Sequence, residues 1–113
     1  MFDKLGQFAG LMKNLPRIQE AMQKFQQQVG QITAEGDAGA GMVRVRVNGH
    51  MEILSCTLSD EALRGGDREM LEDLIKAAVN QALARVRQQV QEETAKMAGS
   101  FGLPPGMNLP GMG

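Results

Sequence analysis

The sequence predicts an α+β domain in which a long helix, a three-stranded antiparallel meander and a second long helix follow one another. Three observations predict it. Residues Phe8–Ile32 carry apolar side chains at alternating spacings of three and four, and Asp67–Ala98 returns to helical spacing. Between them, Gly36–Leu58 holds the only clear two-residue alternation. At 113 residues the chain has the length of one domain. Residues 1–98 are assigned to that domain and residues 99–113 to a tail.

In the first helix, Phe8, Leu11, Leu15, Ile18, Met22, Phe25, Val29 and Ile32 form a heptad-type stripe. The stripe is narrow, and Gln19, Lys24, Gln26, Gln27 and Gln28 lie off it. That pattern suits a helix packed on one or two others rather than one buried in a globule. Pro16 interrupts it. A proline inside a helix lacks the N–H donor and crowds the preceding turn, at about 3 kcal/mol. Two readings follow. Either the helix kinks near Leu15, or the regular helix starts there, with Asn14 or Leu15 as cap and Pro16 in its first turn. The second is preferred, and it makes Phe2–Lys13 a shorter helix or a loose segment.

The meander begins with a strand near Gln31–Glu35, followed by the turn-rich stretch Glu35–Gly41. Gly39-Ala40-Gly41 reads as a hairpin turn. A phosphate-binding glycine loop needs a helix N-terminus after it, and here a strand follows. Val43, Val45 and Val47 alternate with Met42, Arg44 and Arg46, giving an apolar face and a basic one. Asn48-Gly49 marks a tight hairpin, because both residues tolerate positive φ. The returning strand, Met51–Leu58, breaks parity: Met51 and Ile53 fall on one side, Cys56 and Leu58 on the other. A bulge near Leu54-Ser55 reconciles them. His50 is expected as an exposed turn residue. Cys56 is expected as a small buried apolar side chain, not a nucleophile.

Ser59–Gly66 is a connector with room for one helical turn at Asp60–Arg64, and Asp67 caps the long helix after it. Glu69, Glu72 and Asp73 crowd the start of that helix, where the macrodipole favours negative charge. No metal is needed to account for them. Leu71, Leu74, Ile75, Ala78, Val79, Ala82, Leu83, Val86 and Val90 make a stripe that is broad at first and then narrows. The first half is expected to cover the sheet and the second half to leave it. A helix of about 30 residues runs roughly 45 Å, whereas a compact domain of ~100 residues has a radius of gyration near 13 Å. Such a helix projects or spans a dimer, and a sheet covered by one helix layer is a thin core. Both points favour a homodimer.

The net charge is −1, so binding to nucleic acid must come from a local basic surface. A single cysteine cannot form an internal disulfide, which suits a reducing cytoplasm. The opening MFDKLGQFAGLMKNLP lacks a long apolar run and a basic leader region, and no stretch approaches the ~18 apolar residues of a membrane span. No acid–base pair, nucleophile with a base, or ligand cluster stands out, so neither an enzyme, a cofactor nor a metal site is expected. The Gly-, Pro- and Met-rich tail GSFGLPPGMNLPGMG lacks periodicity and reads as disordered.

Gly39–Gly49 (GAGMVRVRVNG), Asp67–Val86 (DREMLEDLIKAAVNQALARV) and the LPPGM of the tail resemble the YbaB/EbfC family of bacterial nucleoid-associated proteins. The resemblance covers nearly the whole chain, including the MFDKLG start. It departs after the third strand, where the family commonly has Asp-Pro and this chain has Ser59-Asp60. The resemblance implies an α–β–β–β–α fold and a tweezer-like homodimer in the cytoplasm and nucleoid. It also implies that helical arms grip double-stranded DNA with little sequence preference, in nucleoid organisation or gene regulation. Under that reading, phosphate contacts are expected from Lys13, Arg17 and Lys24 on the first arm and Arg85, Arg87 and Lys96 on the second. Arg44 and Arg46 on the exposed sheet face are second-line candidates. A rival reading is a protein-interaction adaptor that recruits a DNA repair or replication protein through its narrow apolar stripes and Met-rich tail.

Overall fold

A computed structural model describes the backbone of residues 2–100 and the side chains of residues 9, 10 and 12–100. The chain folds in the order α1 (Phe2–Gln31), β1 (Thr33–Ala38), β2 (Val43–Asn48), β3 (Ile53–Leu58), α2 (Asp60–Arg64) and α3 (Arg68–Ser100). The helix–sheet–helix order matches the expectation. The proposed tail from residue 101 onward lies outside the described residues, and Gly99 and Ser100 still belong to α3.

Pro16 does not start α1. The helix runs through it for 30 residues, so the preferred reading of a cap at Asn14 or Leu15 is corrected. Pro16 cannot donate to the Met12 carbonyl. Because Pro16 is exposed, water can reach that carbonyl and the turns on either side continue.

The three strands form an antiparallel meander, β1-β2-β3. Val43, Val45 and Val47 face inward and are fully buried. Opposite them on β1 stand Ala38, Gly36 and Ala34. Small residues there let α3 lie almost on the strand backbone. A Cβ at Gly36 would sit 2.1 Å from the Ala78 carbonyl oxygen and 2.6 Å from the Ala82 nitrogen. Ala78, Ala82 and Val86 of α3 complete the buried core, with Leu71, Leu74, Ile75, Val79 and Leu83 around it. Asp67 caps α3, its Oδ1 accepting from the Met70 N–H at 3.0 Å. Ser59 caps α2 in the same way through Ala62 N–H.

The bulge lies where parity required it. Arg46 pairs with Ser55 and Val47 with Ile53, leaving Leu54 as the extra residue of β3. The Asn48-Gly49 turn differs from expectation, because neither residue has positive φ and Met51 does, at +62°. The buried Asn48 side chain organises this turn. Its Oδ1 accepts from the N–H groups of His50 and Glu52, and its Nδ2 donates to Glu52 Oε1. Gly49 is small for another reason: a Cβ would lie 2.1 Å from the Val29 carbonyl oxygen. The last turn of α1 is seated on the hairpin, and the Gly49 N–H donates to Ile32 O at 2.9 Å.

Cys56 is exposed, correcting the expectation that it is buried. It pairs with Val45 on the inward side of the sheet, but α3 covers β1 and β2 and does not reach across to β3. Ile53 and Leu54 are accordingly 55% and 50% exposed.

Candidate nucleic-acid interface

Burial along the apolar stripe of α1 is graded. Val29 and Phe25 are buried, Met22 and Ile18 are half-buried, and Leu15 is exposed, as is Met12 beside the stripe. Val29 is seated on the hairpin at Gly49, and the outer half of α3 lies beside Phe25. Ala21, Lys24, Phe25 and Gln28 of α1 line a groove with Glu93, Lys96 and Met97 of α3. Ala98 is buried at the far end of α3. The two long helices therefore leave the sheet together as a two-helix arm, rather than α3 projecting alone.

Cations outnumber acids on this arm. Among the described side chains, Lys13, Arg17, Lys24, Arg87 and Lys96 stand on it against Glu20, Glu92 and Glu93, in a chain whose net charge is −1. Lys13, Arg17 and Lys24 follow one another at offsets of four and seven, so they share a helix face, and all three are exposed. Lys24 and Lys96 come from opposite ends of the sequence and meet on the rim of the groove, whose volume is about 340 Å³. Lys96 Nζ lies 3.3 Å from Glu93 Oε1. That pair is largely exposed and holds Lys96 only weakly.

The remaining candidates do not line this groove. Arg87 is exposed on α3. Arg85 bends toward the sheet, its Nη1 donating to the Glu35 carbonyl at 2.8 Å. One turn earlier, Gln81 Oε1 accepts from the Asp37 N–H at 2.7 Å. Gln81 carries no charge or motif that marks it in the sequence. Arg44 and Arg46 do occupy the outer face of the sheet, but in register with Asp37 and Glu35 of β1. Cross-strand carboxylates offset much of the field that those two arginines would present to a phosphate. Arg68 and Lys76 are partnered along their own helix by Glu72 at 3.0 Å and Asp73 at 3.9 Å. Among the described residues no three His, Cys, Asp or Glu side chains cluster as metal ligands, and no helix is long and apolar enough to cross a membrane.

The fold has solved counterparts. A crystal structure of an uncharacterized protein, HP0035, from Helicobacter pylori superposes with a TM-score of 0.65 at 21% identity, covering 81% of this chain and 94% of that one. In sequence, the chain is 42% identical over 102 residues to the nucleoid-associated protein MCA1327 of Methylococcus capsulatus, covering 90% of this chain and 94% of that protein. The profile of the YbaB/EbfC DNA-binding family matches residues 4–101. The chain therefore belongs to the YbaB/EbfC DNA-binding family.

Proposed function

We propose that this protein is a nucleoid-associated protein that binds duplex DNA as a homodimer, with little sequence preference, and so contributes to nucleoid organisation or gene regulation. The observation that carries the reading is the segregation of charge. Among its described side chains the arm holds five cations against three acids, while the chain as a whole is slightly acidic. Lys13, Arg17 and Lys24 along α1, with Lys96 across the groove and Arg87 on α3, are assigned to phosphate contacts. Such contacts position a protein on a duplex without reading bases, which accounts for low specificity. Arg85 ranks below them because its guanidinium also holds the sheet edge. Arg44 and Arg46 stay second-line.

The homodimer is supported by the bare side of the sheet. No backbone group or helix among the described residues covers the outer edge of β3, and Ile53 and Leu54 beside it are half exposed. An edge strand with apolar neighbours is a template for a second copy.

A gel shift with random-sequence duplex over a range of salt concentrations tests the reading. Retardation is expected at micromolar protein and low salt, falling steeply as salt rises because phosphate binding releases counterions. Reversing Lys24 and Lys96 to Glu is expected to weaken binding on the order of tenfold at low salt and to flatten the salt dependence. No retardation at low salt would sink the DNA reading, and retardation indifferent to salt would sink the phosphate mechanism. A second reading, an adaptor for a repair or replication protein, rests on the exposed Leu15 of the α1 stripe and the exposed Met12 beside it. It predicts that replacing both by Ser removes a protein partner while DNA retardation persists.

A further inference from the structure

The two edges of the sheet are treated differently. In an antiparallel edge strand, alternate residues point their N–H and C=O groups away from the neighbouring strand. On β1 those groups include the N–H and C=O of Glu35 and Asp37, and the middle two of that run, Glu35 C=O and Asp37 N–H, are occupied. Arg85 donates to the Glu35 carbonyl at 2.8 Å, and Gln81 accepts from the Asp37 N–H at 2.7 Å. Gln81 and Arg85 are one helical turn apart on α3, and Glu35 and Asp37 are two residues apart on β1. The two spacings match because Gly36, between the latter, lets the helix backbone approach closely enough for both side chains to reach. At β3 nothing comparable occurs among the described residues. Its outer edge is open from Ile53 to Leu58.

We propose that Gln81 and Arg85 form a seal on the β1 edge that limits this chain to closed pairs. This rests on the homodimer reading above, with β3 taking the β3 strand of a second copy. A twofold β3-to-β3 contact presents the same surface from both copies. It leaves β1 of each copy as the two outer edges of the joined sheet. Unsealed, each of those edges could accept another strand, and association would continue beyond the pair. Sealed, both ends refuse one. The seal uses an uncharged acceptor on an N–H and a cationic donor on a C=O, so it engages two adjacent backbone groups in the middle of the edge and lays two side chains across the path of an incoming strand.

The test is the mass of the full chain in solution by light scattering over a wide concentration range. The unaltered protein is expected to stay at two copies throughout. Gln81→Ala with Arg85→Ala is expected to give species that grow with concentration. Adding Asp37→Pro to that double variant is expected to restore pairs. Proline removes the outward N–H, and no ladder bond to β2 depends on it. Arg85→Lys with Gln81 intact keeps a donor and is expected to remain at two. A folded double variant that holds at two copies at every concentration overturns the seal and leaves the dimer intact. An unaltered protein that is monomeric, beside a double variant that grows, overturns β3 pairing and supports the seal. An unaltered protein that grows beyond two overturns the seal. If circular dichroism shows the double variant unfolded, Gln81→Ala alone carries the test: concentration-dependent growth supports the seal, and an unchanged mass overturns it.

Discussion

Gly36 and Met51 are the two positions where a single atom or angle decides most. At Gly36 an added methyl would meet the backbone of α3, not the end of a flexible side chain. The helix must therefore move off the strand, and Ala78 and Ala82 lose their contact with it. Gly36→Ala is expected to cost roughly 2–3 kcal/mol, as overpacking a tight core does, read as a lower urea midpoint. Met51 is the reverse case. Its φ of +62° places a residue with a Cβ in the left-handed region, and its side chain is 38% exposed. Met51→Gly is expected to stabilise by about 1 kcal/mol, because it removes a steric penalty of ~1–2 kcal/mol at the loss of little burial. A lower melting temperature for that variant would contradict it. These residues also mark what the sequence could show. The valine alternation, the Asp67 cap and the Leu54 bulge are written in neighbouring residues, so a reading along the chain reaches them. Gly36, Gly49 and Gln81 are set by approaches between segments far apart, 44 residues for Gln81 and Asp37. No local pattern carries that information.

At the scale of the elements, α1 is one helix with two regimes. Its C-terminal half has Phe25 and Val29 buried, and Lys24 beside α3. Residues 12–17, which include Pro16, are all exposed. The Pro16 penalty thus falls where tertiary contacts are sparse and local opening is easiest. Pro16→Ala is expected to slow amide exchange over residues 12–20 by up to about a hundredfold while leaving the unfolding midpoint of the core nearly unchanged, since the proline costs about 3 kcal/mol locally. Equal protection in both proteins would show that this segment is not limited by the proline. The cations of the arms were legible as a list, but their worth was not. Lys24 and Lys96 gain significance by meeting across a groove. Arg85 loses it by turning toward a carbonyl, and Arg44 and Arg46 by facing acids in register. Each outcome depends on pairings that spacing within one element does not contain.

For the whole molecule, shape is the main result. The radius of gyration is 20.5 Å and the longest extent 73 Å, against roughly 13 Å expected for a compact chain of this size. The length came through in the sequence, because two helical patterns of that span cannot be folded into so small a globule. What covers β3 did not, since Ile53, Leu54 and Cys56 read as ordinary strand residues. Under the proposed pairing, Ile53→Asp places a charge in the joint and is expected to give a monomer that keeps its circular dichroism. DNA retardation should fall with it, because one arm holds fewer phosphates than two and the loss compounds. A monomer that retards DNA as well as the unaltered protein would remove the dimer from the binding mechanism.

The seat of α1 on the hairpin has a mechanical consequence. Gly49 touches the Val29 carbonyl side of α1 at one extremity of a helix about 45 Å long at 1.5 Å per residue. That contact is a fulcrum and α1 is the lever. A tilt of only ~5° at the pivot would swing the free tip by about 4 Å over such a length. In the proposed pair, small side chains at the pivot would thus set the span between the two tips. A methyl at Gly49 would then alter the proposed grip by re-aiming both levers.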